Sequence, residues 1–266
     1  MAMFGGARWR DGLGTIDRVV VAAAALSVLL GAWMVFVQPL AGRRRYRLLI
    51  ERLDHDPSAR LHHYRRGIAF EWAGAALVGL LALLAHSRLR GLWPPGEHPG
   101  VGAQIPGLAV AILGVTAVYR LGGQAARRAL AVQLRPVAAL LPRSGVERRW
   151  FALLAITAGV CEEVLYRGFG LAGLRWAAPG IGTPALVILS GAAFGFAHLY
   201  QGRLGVVLTG VLGAYLAWIA IAVGSLVPVM VLHALLDLRI LGLPLEAVPI
   251  VTPEGRKEAG PPPEAS

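Results

Sequence analysis

The feature that most constrains the fold is a series of long apolar blocks separated by short gaps rich in arginine. A transmembrane helix needs about 20 mostly apolar residues, and soluble domains seldom contain several such blocks in succession. The composition agrees, because 56% of the residues are hydrophobic and only 15% are charged. We therefore expect an all-α, polytopic membrane protein whose main partner is the lipid bilayer.

The length rule predicts seven transmembrane helices. They cover residues 19–37, 68–85, 105–119, 150–169, 181–199, 204–223 and 226–241. The loops after the first and third blocks are rich in arginine, whereas those after the second and fourth hold only Arg88, Arg90 and Arg175. Since cytoplasmic loops carry an excess of basic residues, this alternation predicts an N-terminus outside the cell and a cytoplasmic C-terminus.

Three regions follow from the same pattern. Residues 1–149 form an N-terminal transmembrane region with arginine-rich cytoplasmic loops, and residues 150–243 form a helical core that carries polar residues. Residues 244–266 are rich in Pro and Glu and are expected to be disordered. Segment 120–141 alternates arginine with Leu, Ala and Val, which predicts either a helix on the membrane surface or a solvated helical connector.

The formal net charge of +11 raises the question of nucleic-acid binding. The arginines lie in the gaps between apolar blocks, as expected beside anionic lipid, and no basic stripe is interleaved with aromatic residues. We therefore predict no nucleic-acid partner. Cys161 is the single cysteine, so an intramolecular disulfide and a cysteine-rich metal site are excluded, and we interpret this residue as a small buried hydrophobe.

Charged residues interrupt the fourth apolar block. A charge in the hydrocarbon layer costs at least a few kcal/mol, so it usually faces a protein interior and has a function there. Glu163 and Arg167 are four residues apart, which predicts an ion pair on one helix face. Glu162 points about 100° away and is the better candidate for a free carboxylate that binds a metal or takes a proton from water. Alternatively, both glutamates only satisfy Arg167 or other buried polar groups.

The fifth block ends with a histidine on an aromatic face. Phe194 and His198 lie four residues apart and therefore share one side of the predicted helix. A lone histidine at this place is either a ligand or a satisfied core residue. Gly191 and Gly195 show the same spacing, which predicts the close approach of another helix.

The last block contains His233 and Asp237, again four residues apart. An Asp can accept the imidazole N–H and so fix the tautomer of a metal-binding or catalytic histidine. Asp237 could equally be a direct metal ligand, or the two side chains could simply hold helices together.

These side chains allow two kinds of chemistry. Glu162, His198, His233 and Asp237 could hold zinc or another divalent metal, because two imidazoles and a carboxylate are a common catalytic ligand set. The short zinc signature of two histidines around a Glu is absent, so such a site must be assembled from separate helices. Without a metal, Glu162 and His198 would deprotonate a water while His233 stabilises the oxyanion.

The three motifs together resemble the CPBP family, also called the Abi or CAAX-protease family. This family includes the type II CAAX prenyl endopeptidases of the Rce1 group and many bacterial intramembrane metalloproteases. In chain order, the motifs are Glu162-Glu163-x-x-x-Arg167-Gly168, Phe194-x-x-x-His198 and His233-x-x-x-Asp237. The resemblance covers about residues 150–240 and implies an all-α polytopic fold with a buried site that hydrolyses peptide bonds.

The resemblance also implies roles for individual residues. Glu162 is expected to activate water with His198 as its partner, and His233 and Asp237 are expected to ligate a metal or stabilise the oxyanion. The ion pair of Glu163 with Arg167 would support them. Eukaryotic members favour Asn at the position of Asp237, and because an ionised Asp cannot donate a hydrogen bond, ligation or orientation of His233 is favoured here.

The sequence therefore predicts an intramembrane endopeptidase that acts on a membrane-associated peptide or protein. The bias to Ala, Arg, Gly and Leu with little Lys is typical of a GC-rich bacterium, so we expect the bacterial plasma membrane. The alternatives are a non-catalytic membrane adaptor or bacteriocin-immunity protein on the same fold, and a transporter with a buried proton relay. The absence of internal repeats counts against the transporter. The substrate, and whether it is prenylated, stays open.

Overall fold

A computed structural model describes residues 15–84 and 105–249, which fold into helices without any β-strand. The all-α class is thus confirmed for this part of the chain. The helices are α1 (Thr15–Ala32), α2 (Gln38–Leu53), α3 (Ala59–Leu84), α4 (Ile105–Leu121), α5 (Gln124–Leu134), α6 (Gly145–Glu163), α7 (Leu171–Ala177), α8 (Thr183–Ala197), α9 (Gly202–Val223) and α10 (Val227–Leu238). Short 3₁₀ or π turns are Trp33–Val37, Arg135–Leu140, Val164–Gly170, Leu199–Gln201, Arg239–Gly242 and Leu245–Ala247.

The number of membrane spans differs from the prediction. In the described ranges, three helical segments are long and apolar enough to cross a membrane: Ala22–Leu53, Ala59–Leu84 and Leu199–Val223. There are four spans if a bent pair of helical segments is counted as one broken span. These segments are Pro106–Leu121 and Gln124–Leu140, and the bend between them is 117°. The predicted count of seven is therefore not confirmed, although a helix occupies each of the predicted blocks.

Helix length explains most of this difference. The fifth and seventh blocks become α8, with 15 residues, and α10, with 12 residues. At 1.5 Å per residue these helices are about 22 and 18 Å long, whereas the hydrocarbon core is about 30 Å thick. The apolar blocks in the sequence are longer than these helices because they include apolar residues of the turns at the helix ends. Exposed apolar faces nevertheless indicate an integral membrane protein, since Leu204, Val207, Leu208 and Val211 of α9 are each more than half exposed.

The arginine-rich gap after the first block is mostly helical. One continuous helical run extends from Thr15 to Leu53, and only residues 54–58 form the turn before α3. Arginine is a good helix former, so a cluster of arginines does not end a helix. In the turn, the hydroxyl and backbone N–H of Ser58 donate to Asp56 at 2.6 and 2.8 Å, and these hydrogen bonds lower the pKa of Asp56. Two arginines of the predicted arginine-poor loop, Arg88 and Arg90, lie outside the described residues.

The segment 120–141 is helical, as predicted, and its apolar side is covered by residues 243–248. Helix α5 and the turn after it pack against Leu245 and Val248, which are both buried. Arg143 donates hydrogen bonds of 2.6 Å to the carbonyls of these two residues. The first residues of the tail predicted to be disordered are thus structured, and residues 250–266 lie outside the described part.

Helix α6 begins at a capping box that also ties it to α3. Ser144 accepts a hydrogen bond from the N–H of Glu147, whose carboxylate accepts from the N–H groups of Ser144 and Arg143. The guanidinium of Arg60 donates to the same carboxylate at 2.9 Å, and both side chains are buried. Burial by itself would raise the pKa of Glu147, but these hydrogen bonds and the charge of Arg60 lower it below its ordinary value.

Small residues let α8 and α9 touch along their backbones. A Cβ at Gly191 would lie 2.7 Å from both the Cβ of Ala214 and the carbonyl oxygen of Gly210. A Cβ at Gly195 would lie 2.5 Å from the carbonyl oxygen of Val206. The close helix approach that the spacing of these glycines predicts is therefore confirmed.

A second close contact joins α6 to α10. A Cβ at Gly159 would lie 2.7 Å from the backbone nitrogen of Ala234 and 2.8 Å from its Cβ. Only a glycine allows the two backbones to approach this closely. Because Glu162 and Glu163 follow Gly159 within about one helical turn, the contact brings both carboxylates beside His233.

We expect the substitution Gly159→Ala to lower the free energy of unfolding by about 1–3 kcal/mol, because the added methyl group overpacks the contact with α10. The matched control is Gly114→Ala in α4, where a Cβ would meet nothing within 4 Å. The control should leave stability unchanged or raise it by up to about 1 kcal/mol. Unfolding of the purified protein in detergent measures both values. Equal effects of the two substitutions would contradict the contact.

Candidate active site

The carboxylate of Glu163 is the centre of the polar cluster. Its Oε1 accepts a hydrogen bond of 2.9 Å from Nη1 of Arg167, and Nδ1 of His233 lies 2.8 Å from the same oxygen. The side chains of Glu163 and Arg167 have no solvent exposure. The predicted ion pair is therefore confirmed, and it also holds a histidine from α10.

Arg167 is fixed by two further contacts. Its Nη2 donates a hydrogen bond of 2.8 Å to the carbonyl oxygen of Gly213 in α9. Its Cζ lies 4.4 Å from the ring centroid of Phe194, which is a cation–π contact with α8. The side chain lies in the π turn that follows α6, and π turns are frequent at functional sites. One arginine thus connects three helical segments.

The ring of His233 presents its second nitrogen to two carboxylates. Nδ1 faces the carboxylate of Glu163, which can only accept a hydrogen bond. We therefore assign a proton to Nδ1 of His233. Nε2 then points towards Glu162 Oε2 at 3.9 Å and Asp237 Oδ2 at 3.8 Å. Both distances exceed a hydrogen bond. Glu163, and not Asp237, is therefore the carboxylate that orients His233.

Glu162 is the free carboxylate of the cluster. Its Oε2 is buried and has no hydrogen-bond partner, while the neighbouring Glu163 is paired with Arg167. Exposure of the side chains rises from 0% at Glu163 to 6% at His233, 19% at Glu162 and 42% at Asp237. The site is therefore open on the side of Asp237, and Glu162 lies between this opening and the buried ion pair.

His198 packs against the aromatic ring of Phe194. Its Nδ1 is 2.8 Å from the carbonyl oxygen of Phe194, which leaves Nε2 free. The rings of His198 and Phe194 are 4.6 Å apart, and the ring of His233 is 5.7 Å from the same phenyl group. The shared face of Phe194 and His198 is thereby confirmed. Both histidines contact one aromatic ring, but His198 makes no hydrogen bond to Glu162.

All of these side chains belong to one part of the chain, which the comparisons with known proteins identify. Residues 146–239 match the family model described as Type II CAAX prenyl endopeptidase Rce1-like. The resemblance to the CPBP family is therefore confirmed for this Rce1-like segment, about a third of the chain. At the level of the family, the match supports a peptidase of the CAAX-protease type. No curated protein and no solved structure matches the chain.

The predicted metal ligands do not come together as a set. Across residues 15–84 and 105–249, no three His, Cys, Asp or Glu side chains are placed so that they could hold a metal ion. Nε2 of His233 lies 3.9 Å from Glu162 Oε2 and 3.8 Å from Asp237 Oδ2, and the ring of His198 lies 4.6 Å from that of Phe194. The metal therefore stays a prediction.

One acidic residue near the site comes from outside the Rce1-like segment. Glu71 of α3 interacts electrostatically with Glu162 and Asp237, and its buried Oε2 has no hydrogen-bond partner. This residue was not among the predicted site residues. The signal was present, because Glu71 is an ionisable residue inside the second predicted apolar block, and the rule applied to the other blocks applies here too.

Tyr200 also lies beside the site without any sequence signal. It is in the turn after α8, with its ring 5.8 Å from that of His198 and 5.5 Å from that of Tyr46 in α2. Like Glu71, it interacts electrostatically with Glu162 and Asp237. A tyrosine in a short turn has no spacing pattern that would reveal this position.

The two adjacent glutamates should differ in their effect on stability. We expect Glu163→Gln to lower the free energy of unfolding by about 3–5 kcal/mol, because it leaves the buried Arg167 without a counter-charge. We expect Glu162→Gln to leave stability unchanged, because Glu162 Oε2 has no partner to lose. Denaturant unfolding in detergent compares the two variants. A loss of the same size in both would show that Glu163 has no special structural role.

Proposed function

We propose that the protein is an intramembrane endopeptidase in which Glu162 activates a water molecule for hydrolysis of a peptide bond. The observation that carries the proposal is that Glu162 Oε2 has no hydrogen-bond partner and lies 3.9 Å from Nε2 of His233, within the Rce1-like segment. A general base must keep its acceptor free, and here the neighbouring Glu163 takes up the arginine.

The reaction is a proton transfer followed by addition. Glu162 takes a proton from water, and the hydroxide oxygen forms a bond to the carbonyl carbon of the substrate. The proton then passes from Glu162 to the amide nitrogen, and the C–N bond breaks. The products are a carboxyl group and an amine, and Glu162 returns to its ionised form.

The two histidines have different proposed roles: His233 stabilises the oxyanion, and His198 helps to hold the water. His233 donates from Nε2 to the oxyanion when its ring is protonated, because Nδ1 is occupied by Glu163. His198 presents its free Nε2 as the partner of Glu162 that holds the water. Asp237 is an acceptor only, so it accepts a substrate N–H at the open side of the site.

The mechanism assigns no step to a metal ion, because the donor arrangement of the described residues does not form a three-ligand group. The residues closest to such a set are Glu162, His233 and Asp237, and a bound zinc ion would supply a more acidic water there. Each step of the proposed reaction uses only side chains of the protein, the water and the substrate.

We place the protein in the bacterial plasma membrane with its N-terminus outside, because arginine-rich and arginine-poor gaps alternate along the sequence. On the predicted seven-span topology, helices α8 and α10 run towards the cytoplasm, and His198 and Asp237 lie near their C-terminal ends. The exposed Asp237 would thus admit a membrane-associated substrate from this side. No specific observation favours the adaptor, immunity or transporter alternatives.

Glu162→Gln and His198→Ala should each reduce turnover by about 10²- to 10⁴-fold, because each removes a proton-transfer or water-holding group. The assay uses purified protein in lipid vesicles and a fluorogenic peptide ending in Cys-a-a-X, both farnesylated and unmodified. The matched control is Glu51→Gln on the exposed side of α2, which should keep full activity.

Full turnover in both site variants would refute the assignment of the base. A wild-type protein that cleaves neither peptide, together with variants that keep full biological activity, would favour the adaptor alternative. Preference for the farnesylated peptide would define the substrate class.

Removal of metal should leave turnover of the wild-type protein intact. Dialysis against a chelator, followed by elemental analysis and the same peptide assay, measures this directly. The opposite outcome has two parts. The wild-type protein would contain stoichiometric zinc that is absent from His198→Ala and His233→Ala, and added zinc would restore the activity lost on chelation. That result would replace the metal-free mechanism.

A further inference from the structure

The imidazole of His198 has two aromatic neighbours. Its ring centroid lies 4.6 Å from that of Phe194, one turn earlier in the chain, and 5.8 Å from that of Tyr200, in the turn after α8. Its Nδ1 donates a hydrogen bond of 2.8 Å to the carbonyl oxygen of Phe194. A single hydrogen bond tolerates a broad range of angles, so it does not fix the tilt of the ring. The contact with Tyr200 restricts this remaining motion.

Helix α2 packs against the chain just before and just after His198. A Cβ at Gly42 would lie 4.0 Å from the carbonyl oxygen of Ala197. The ring of Tyr46 lies 5.5 Å from that of Tyr200. Because Gly42 and Tyr46 are four residues apart, they share one helix face. This face of α2, which lies upstream of the Rce1-like segment, therefore supports the backbone and the aromatic neighbour of His198.

Tyr46 is held at its other end by the turn that follows α5. Its hydroxyl donates a hydrogen bond of 2.7 Å to the carbonyl oxygen of Pro136. The ring is buried in an apolar cluster with Leu49 and Ala139, and Tyr200 packs against the same cluster. Side chains in a close-packed cluster keep one orientation on average. Tyr46 is thus a fixed support for the ring of Tyr200.

We propose that Tyr46 and Tyr200 are positioning residues of the active site, which together hold the imidazole of His198 so that Nε2 faces the water. The series of ring contacts runs from α2 through the turn after α8 to the histidine. It gives the region upstream of the Rce1-like segment a part in the reaction. The inference rests on the proposed function, in which His198 is the partner of Glu162.

A second tyrosine provides a matched control, because it is bound in the same way but away from His198. Tyr64 of α3 donates a hydrogen bond of 2.6 Å to the carbonyl oxygen of Leu140, in the turn that also binds Tyr46. Its ring is buried and lies 5.9 Å from that of Phe151 in α6. Replacement of either tyrosine by leucine therefore removes a buried ring and a hydrogen bond to the same turn.

The first test measures turnover of the peptides in lipid vesicles. Tyr46→Leu and Tyr64→Leu should both lower the unfolding midpoint, because each loses buried contacts and a hydrogen bond. We expect kcat per folded molecule to fall about 10- to 100-fold at unchanged KM in Tyr46→Leu and Tyr200→Leu, because a tilted His198 misplaces the water. Tyr64→Leu should keep the wild-type kcat, and Tyr200→Phe, which retains the ring, should keep most of it.

The second test needs no turnover. ¹⁵N NMR on protein with labelled histidine, assigned with a His198→Ala variant, reports the protonation of the ring of His198. The wild type should carry its proton on Nδ1, because this nitrogen donates to Phe194. Tyr200→Leu should shift the signal towards the average of the two tautomers, whereas Tyr200→Phe and Tyr64→Leu should leave it unchanged.

Three outcomes would overturn the inference alone, with wild-type turnover present and Glu162→Gln inactive. The first is an unchanged His198 signal in Tyr200→Leu, whatever its kcat. The second is a wild-type kcat in Tyr200→Leu, and the third is an equal fall of kcat in Tyr46→Leu and Tyr64→Leu. Equal turnover in wild type and Glu162→Gln would instead overturn the proposed function, and the catalytic role of this contact with it.

Discussion

The structure of the site depends on one buried carboxylate with two donors. Glu163 accepts from Arg167 and from His233, and Arg167 in turn contacts Gly213 and the ring of Phe194. A buried charge without a partner is strongly unfavourable, so this arrangement fixes α6, α8, α9 and α10 relative to each other. It also has a chemical consequence, because Arg167 is bound by Glu163 and the adjacent Glu162 keeps an oxygen without a hydrogen-bond partner.

Relations within one helix could be predicted from the sequence. Residues four apart share a helix face whatever surrounds the helix, so the pairs Glu163 with Arg167 and Phe194 with His198 followed from spacing alone. The close approach of α8 and α9 followed for the same reason, since glycines at this spacing leave room for a backbone. The all-α class followed from the apolar blocks, because in lipid a helix satisfies its own backbone polar groups.

Relations between helices could not be predicted in this way. The partner of His233 is Glu163, which lies 70 residues earlier in the chain, whereas the sequence suggested the nearer Asp237. Glu71 was missed because the rule on buried charges was not applied to the second apolar block. The count of seven spans is not confirmed, because apolar composition alone does not show where a helix ends, as the short α8 and α10 demonstrate.

The most direct test of this account is the protonation of the His233 ring, measured by ¹⁵N NMR on protein with labelled histidine and assigned with a His233→Asn variant. The account predicts a proton on Nδ1 at neutral pH, hydrogen-bonded to a carboxylate, with a change in this signal when Glu163 is replaced by Gln. A ring in which Nδ1 carries no proton and only Nε2 is protonated would contradict the central role of Glu163.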